Sequence, residues 1–100
     1  MSAMSLKKIK TVTIRGKRYN FVITKLRGAR GLTEHPQTKN KTVYIDEREK
    51  GKELLSTLID EFIHCAIWEI QNEVVDEISD DIAEALWRCG LRFKDETPAE

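Results

Sequence analysis

"LIDEFIHCAIWEI", residues 58–70, is the stretch on which the reading of this chain turns. Its apolar residues continue a pattern that starts upstream. Leu54, Leu55, Leu58, Ile59, Phe62, Ile63 and Ala66 recur at i, i+3 and i+4, the stripe of an amphipathic helix. Asp60 and His64 then stand one turn apart on one helix face, close enough for both side chains to reach a single point. Glu61 lies about 100° round from Asp60. An apolar helix therefore carries three titratable groups together on its polar side.

Working outward, this helix is expected from about Gly51 to Trp68, with Asp46-Glu47-Arg48-Glu49 read as a capping box before it. A second helix is expected from about Asn72 to Cys89. Its stripe is Val74, Val75, Ile78, Ile82, Ala85 and Leu86, and Gly90 suits its C-terminal cap. Upstream, "KIKTVTIR" (8–15) and "RYNFVITK" (18–25) alternate and are rich in β-branched residues, the signal of strands. Gly16-Lys17 between them suits a type II′ hairpin turn, and Tyr19, Phe21 and Ile23 share one strand face. Residues 27–40, with Gly28, Gly31 and Pro36, read as a long irregular loop. "KTVYID" (41–46) reads as a third strand. The expected fold is α+β: a small antiparallel three-stranded sheet packed against two helices.

One hundred residues make one domain with one modest core. The expected organisation is a flexible N-terminus over 1–7, a single domain over 8–93 and a disordered tail over 94–100. No apolar run approaches the roughly 20 residues needed to span a bilayer. The N-terminus lacks the apolar region of a signal peptide, so the expected location is cytoplasmic, that of a bacterial host if the chain is phage-encoded. Cys65 and Cys89 fall in helical segments without a CxxC spacing and are expected to be reduced core thiols. Trp68 and Trp87 are expected to pack at the core edge.

Charge is divided along the chain. Residues 1–52 hold fourteen Lys/Arg and four Asp/Glu, net +10, and residues 53–100 hold three and thirteen, net −10. The simplest reading is that the halves fold against each other. The other is a nucleic-acid surface on the basic half, carried by Lys10, Arg15, Lys17, Arg18, Arg27 and Arg30. Tyr19 and Phe21 would then stack on bases if they faced outward.

The residues of the first helix point to a chemistry. A helix reading His-Glu-x-x-His binds zinc through its two histidines. Its glutamate takes a proton from a metal-bound water and returns it to the leaving amine. Here the same frame reads Asp60-Glu61-Phe62-Ile63-His64. Together with "IRGKRY", "KTVYID", "KGKELLSTLIDEFIHCAIW" and "DIAEALWRCGLRF", it resembles small phage and bacterial zincin-like metallopeptidases of the SprT and ImmA/IrrE pattern. The resemblance spans roughly residues 8–93. It implies a minimal zincin-like fold, His64 as the second histidine ligand and Glu61 as the catalytic glutamate. It also implies an extended protein or peptide substrate in the cleft beside the 41–46 strand.

Asp60 is the departure from that pattern. A carboxylate can bind zinc, but it adds negative charge, makes a bound water less acidic and shifts preference toward Mn²⁺. The cofactor is therefore zinc or manganese, or none, and hydrolysis is expected to be weak or absent, with the protein acting by binding. Glu77 is the expected third ligand, with Asp81 orienting His64 from behind. Glu73, Asp76 and Asp80 compete for that role, and His35 in the loop is a further possible contact. The sequence carries no signal of oligomeric state.

Overall fold

A computed structural model describes residues 6–94. The chain opens with a 3-10 turn at Leu6–Lys8 and then forms the expected hairpin, β1 (Thr11–Ile14) and β2 (Lys17–Thr24). Ile14 pairs with Lys17, so the two turn residues are Arg15 and Gly16 rather than Gly16 and Lys17. Both have positive φ, 51° and 78°. That is the type I′ pattern, not II′, and glycine occupies its second central position. Arg15 also donates from its guanidinium to the carbonyl of Ala66 at 2.8 Å, which ties the hairpin tip to the end of the first helix.

The sheet corrects the expected three antiparallel strands. It has four, in the order β1-β2-β4-β3, with β3 at Gly31–Thr33 and β4 at Thr42–Asp46. β4 runs parallel to β2 and antiparallel to β3. The segment between β2 and β4 crosses to the far edge, lays down β3, and returns between β3 and β2. β3 is only three residues long and is bracketed by Gly28 and Pro36, too short for alternation to register. The 41–46 strand is consequently internal, with both of its edges paired. The free edge beside it belongs to β3.

Two helices follow, α1 (Gly51–Ala66) and α2 (Asn72–Arg88). The expected capping box does not form, and Lys50 is the N-cap without a side-chain bond. Asp46 is instead the last residue of β4, and its carboxylate accepts from the backbone and guanidinium of Arg48. The same guanidinium donates to the carbonyl of Leu26 at 2.7 Å, so one arginine ties the start of the 25–41 crossover to the end of β4. The Arg48 guanidinium holds the Asp46 carboxyl below its ordinary range.

The core lies between the sheet and α1. Tyr19, Phe21, Val43 and Ile45 meet Leu54, Leu58 and Cys65, with Leu6, Ile9, Val12 and Phe93 packed round them. Each such apolar side chain contributes about 1.5–3 kcal/mol on burial. The Tyr19 hydroxyl is satisfied by the Cys65 carbonyl at 3.3 Å. Burial pushes the Cys65 thiol up to about 11, so it is a core thiol as expected. Cys89 is exposed, contrary to expectation, because it lies past the end of α2.

α2 lies antiparallel on α1. Three side-chain pairs form a ladder: Lys52 with Glu84, Ser56 with Asp80 at 2.5 Å, and Asp60 with Asp76. The partners step by four residues on both helices, one turn at a time. The buried residues of α2 are Val75, Ser79 and Ala83, two of them small enough to let the helices approach closely. The stripe expected to face the core does not: Val74, Ile78, Ile82, Ala85 and Leu86 are exposed. The sheet is already covered by α1, so α2 forms a third layer and needs only a narrow contact row. No helix among the described residues is long and apolar enough to cross a membrane. Residues 1–5 and 95–100, most of the expected flexible ends, lie outside the described residues.

Candidate functional site

Glu61 sits where α1 passes under the edge strand. It is 8 % exposed, although it is a carboxylate. The Thr33 hydroxyl donates to its Oε1 at 2.7 Å and lies 3.3 Å from its backbone carbonyl. Strand alternation turns Thr33 and Gly31 toward the helix and Leu32 away. Gly31 is needed here for space. A Cβ at that position would stand 2.8 Å from both Cγ and Oε2 of Glu61 and 3.0 Å from Cγ2 of Thr57. Burial pushes the Glu61 carboxyl above its ordinary range, and the Thr33 hydrogen bond opposes that rise. A carboxylate tuned upward in this way suits general acid–base work.

Beside Glu61 opens a cleft of about 680 Å³. The segment Gly28–Gly31 forms one wall, and α1 supplies Ser56, Thr57, Asp60, Glu61 and His64. α2 contributes Asn72, Asp76 and Asp80. Asp60 Oδ1 lies 3.2 Å from His64 Nε2, the one-turn pairing legible in the sequence. On its other side Asp60 is hydrogen-bonded to Asp76. Desolvation, that hydrogen bond and the neighbouring charges of Glu61, Asp76 and Asp80 push the Asp60 carboxyl up to about 7.

The structure brings Asp60, Glu61 and His64 to one cleft but leaves Glu77 and Asp81 outside it. Both are exposed on the outer side of α2. Asp76 and Asp80, their neighbours by one position, face α1 instead. The four-residue ladder explains why: once Lys52 meets Glu84, the antiparallel register carries Ser56 to Asp80 and Asp60 to Asp76. Matching the acidic spacing of α2 against the polar spacing of α1 could have found this pairing. Glu73 lies outside the cleft. His35 packs against Trp68 with ring centroids 4.9 Å apart, and Trp68 in turn meets His64 edge-on at 6.3 Å. That aromatic relay is not legible in the sequence, because residues 27–40 carry no periodicity that fixes where His35 packs.

Among the described residues, no group of three His, Cys, Asp or Glu side chains is already gathered as a metal cage. The donor types of Asp60, His64 and Asp76 nonetheless fit zinc or manganese.

The candidate nucleic-acid residues are dispersed. Lys10 borders a groove on the sheet face opposite α1, Arg15 and Lys17 line a recess beside Trp68, and Arg30 lines the acidic cleft. Arg30 also approaches Glu49 at 3.9 Å. Arg18 and Arg27 are exposed. Tyr19 and Phe21 are buried and face the core, so neither is placed to stack on a base. No protein-family model, curated protein or solved structure matches this chain.

Proposed function

We propose that this chain is a zincin-like peptide-binding domain with a degenerate Asp60-Glu61-Phe62-Ile63-His64 site. An extended protein or peptide segment would add to the free edge of β3, and its hydrolysis would be weak or absent. The observation that carries this reading is the position of β3 over Glu61. The Arg30 carbonyl and the Glu34 N–H both bond toward β4. By alternation, Gly31 and Thr33 direct their N–H and C=O groups to the free edge. A strand added there would run along the wall of the Asp60–His64 cleft.

Asp60, His64 and Asp76 would hold a zinc or manganese ion, which would polarise a peptide carbonyl and acidify a water. Glu61 is the residue to take a proton at its carboxylate and hand it to the leaving amine. Two features weaken that chemistry. Thr33 occupies one oxygen of Glu61, and Asp60 adds negative charge where histidine would be neutral. Binding therefore dominates over turnover in this reading.

The test is a titration of isotope-labelled protein with unfolded peptides of mixed sequence, with and without zinc. The amides of Gly31, Thr33 and residues 60–64 should shift together. Peptides N-methylated at alternate positions should fail to bind. The Asp60→His variant should gain zinc affinity and cleave faster. Shifts confined to other surfaces, or indifference to N-methylation, would remove the proposal.

A further inference from the structure

Among the described residues, two faces carry no covering helix or strand and are complementary to each other. The first is the open face of the sheet, opposite α1. Val22, Tyr44 and Leu32 are direct neighbours across β2, β4 and β3 and form a row on that face. Val22 is 38 % and Leu32 52 % exposed. The adjoining groove is lined by Leu6 and Ile9 of the N-terminal turn, by Lys10 and Lys50, by Glu47, and by Arg48, whose guanidinium is paired with Asp46, and Arg18 projects from β2 on the same side. The groove measures about 1000 Å³.

The second face is the outer side of α2. Val74, Ile78, Ile82 and Leu86 recur every four residues and are each 37–40 % exposed. Glu77 and Asp81 lie exposed along the margin of that stripe, and neither takes part in an ion pair among the described residues. One face is thus apolar with basic margins and the other apolar with acidic margins. The two halves meet where α1 packs on the sheet and where Lys52 pairs with Glu84, but the outer side of α2 does not contact the sheet of its own chain.

We infer that the acidic, apolar face of α2 in one copy docks on the basic, open sheet face of a second copy, in a head-to-tail assembly. Dimensions agree. The stripe from Val74 to Leu86 spans about 18 Å of helix, and four strands present a surface about 14 Å wide between their axes. A symmetric α2–α2 pair is disfavoured, because it would set the rows of Glu77 and Asp81 against each other. None of the residues lining the Asp60–His64 cleft belongs to either face, although Leu32 lies in β3, the strand whose free edge the peptide-binding proposal uses. A head-to-tail contact joins different patches and therefore propagates into open chains or rings.

The test is molar mass in solution, by analytical ultracentrifugation across concentration and salt. Wild type should grow beyond the monomer with concentration and shrink toward it with salt. Leu32→Glu blocks the sheet face, and Ile78→Lys with Ile82→Lys blocks the helix face. All three positions are solvent-exposed, and circular dichroism checks that each variant folds. Each variant alone should be monomeric. Mixed in equal amounts they should form a capped dimer, because each supplies the face that the other lacks. Wild type that stays monomeric at all concentrations overturns the inference without recourse to any variant. So does a Leu32→Glu protein that still dimerises, which would mean α2–α2 pairing, or a mixture that stays monomeric, which would mean another occupant.

Discussion

Replacing Gly31 by alanine tests the contact between β3 and Glu61 directly. Gly31 does not have positive φ, so the change adds a methyl group without forcing the backbone. That methyl would lie 2.8 Å from Glu61 Cγ and Oε2 and 3.0 Å from Thr57 Cγ2. Comfortable carbon–carbon contact is about 3.5–4.0 Å, so the strand and helix must separate by several tenths of an ångström or Glu61 must turn aside. Glu61 is buried and held by Thr33 at 2.7 Å, so turning aside breaks a buried hydrogen bond. Overpacking of this kind costs about 1–3 kcal/mol, offset by about 0.4–1 kcal/mol from a less flexible unfolded chain. A net loss of about 1 kcal/mol lowers the Tm of a domain this size by about 4–8 °C. Thermal and urea denaturation followed by circular dichroism would measure it. The same substitution in a Glu61→Ala background removes both of the shortest contacts, so its penalty should fall by about 1 kcal/mol. A neutral Gly31→Ala, or an equal penalty in both backgrounds, would refute the packing account.

Two further outcomes follow from the same site. Thr33→Val keeps the shape of the side chain but strips Glu61 of its donor, which should destabilise the fold by about 1–3 kcal/mol and raise the Glu61 carboxyl further. Carbon-detected NMR titration of that carboxyl reads the shift, and an unmoved resonance would deny the hydrogen bond its role. Asp60→Asn should flatten the pH profile of stability in chelator-treated protein. The folded Asp60 carboxyl titrates at about 7 against 3.8 for an ordinary one, so between those values the native state holds a proton that the unfolded state has released. Stability must then fall as pH rises through that window. The full gap corresponds to about 4 kcal/mol, and solvent screening of this part-exposed group reduces it to about 1–2 kcal/mol. Asparagine keeps a donor for Asp76 without the charge, so the variant should exceed wild type in stability at pH 8 and match it near pH 4. An unchanged slope between those limits would remove Asp60 as the source.

What the sequence disclosed and what it hid divide along one physical line. The hairpin, both helices and the Asp60–His64 pairing were legible, because each is set by spacing within one segment. β3, the parallel return of β4 and the choice of Asp76 over Glu77 were not, because each depends on how separate segments meet. Three residues of strand after a glycine leave no periodicity to read. The apolar stripe of α2 shows the same limit from the opposite direction. Its periodicity is amphipathic, but amphipathicity states only that a face is apolar, not what covers it. In this chain the row that meets α1 is Val75, Ser79 and Ala83, offset from the larger stripe, so Ile78, Ile82 and Leu86 remain outside. A helix needing only to pack on α1 could have carried polar residues at those positions. That it carries four large apolar ones with acidic margins, each 37–40 % exposed, is the feature on which the proposed docking between copies rests.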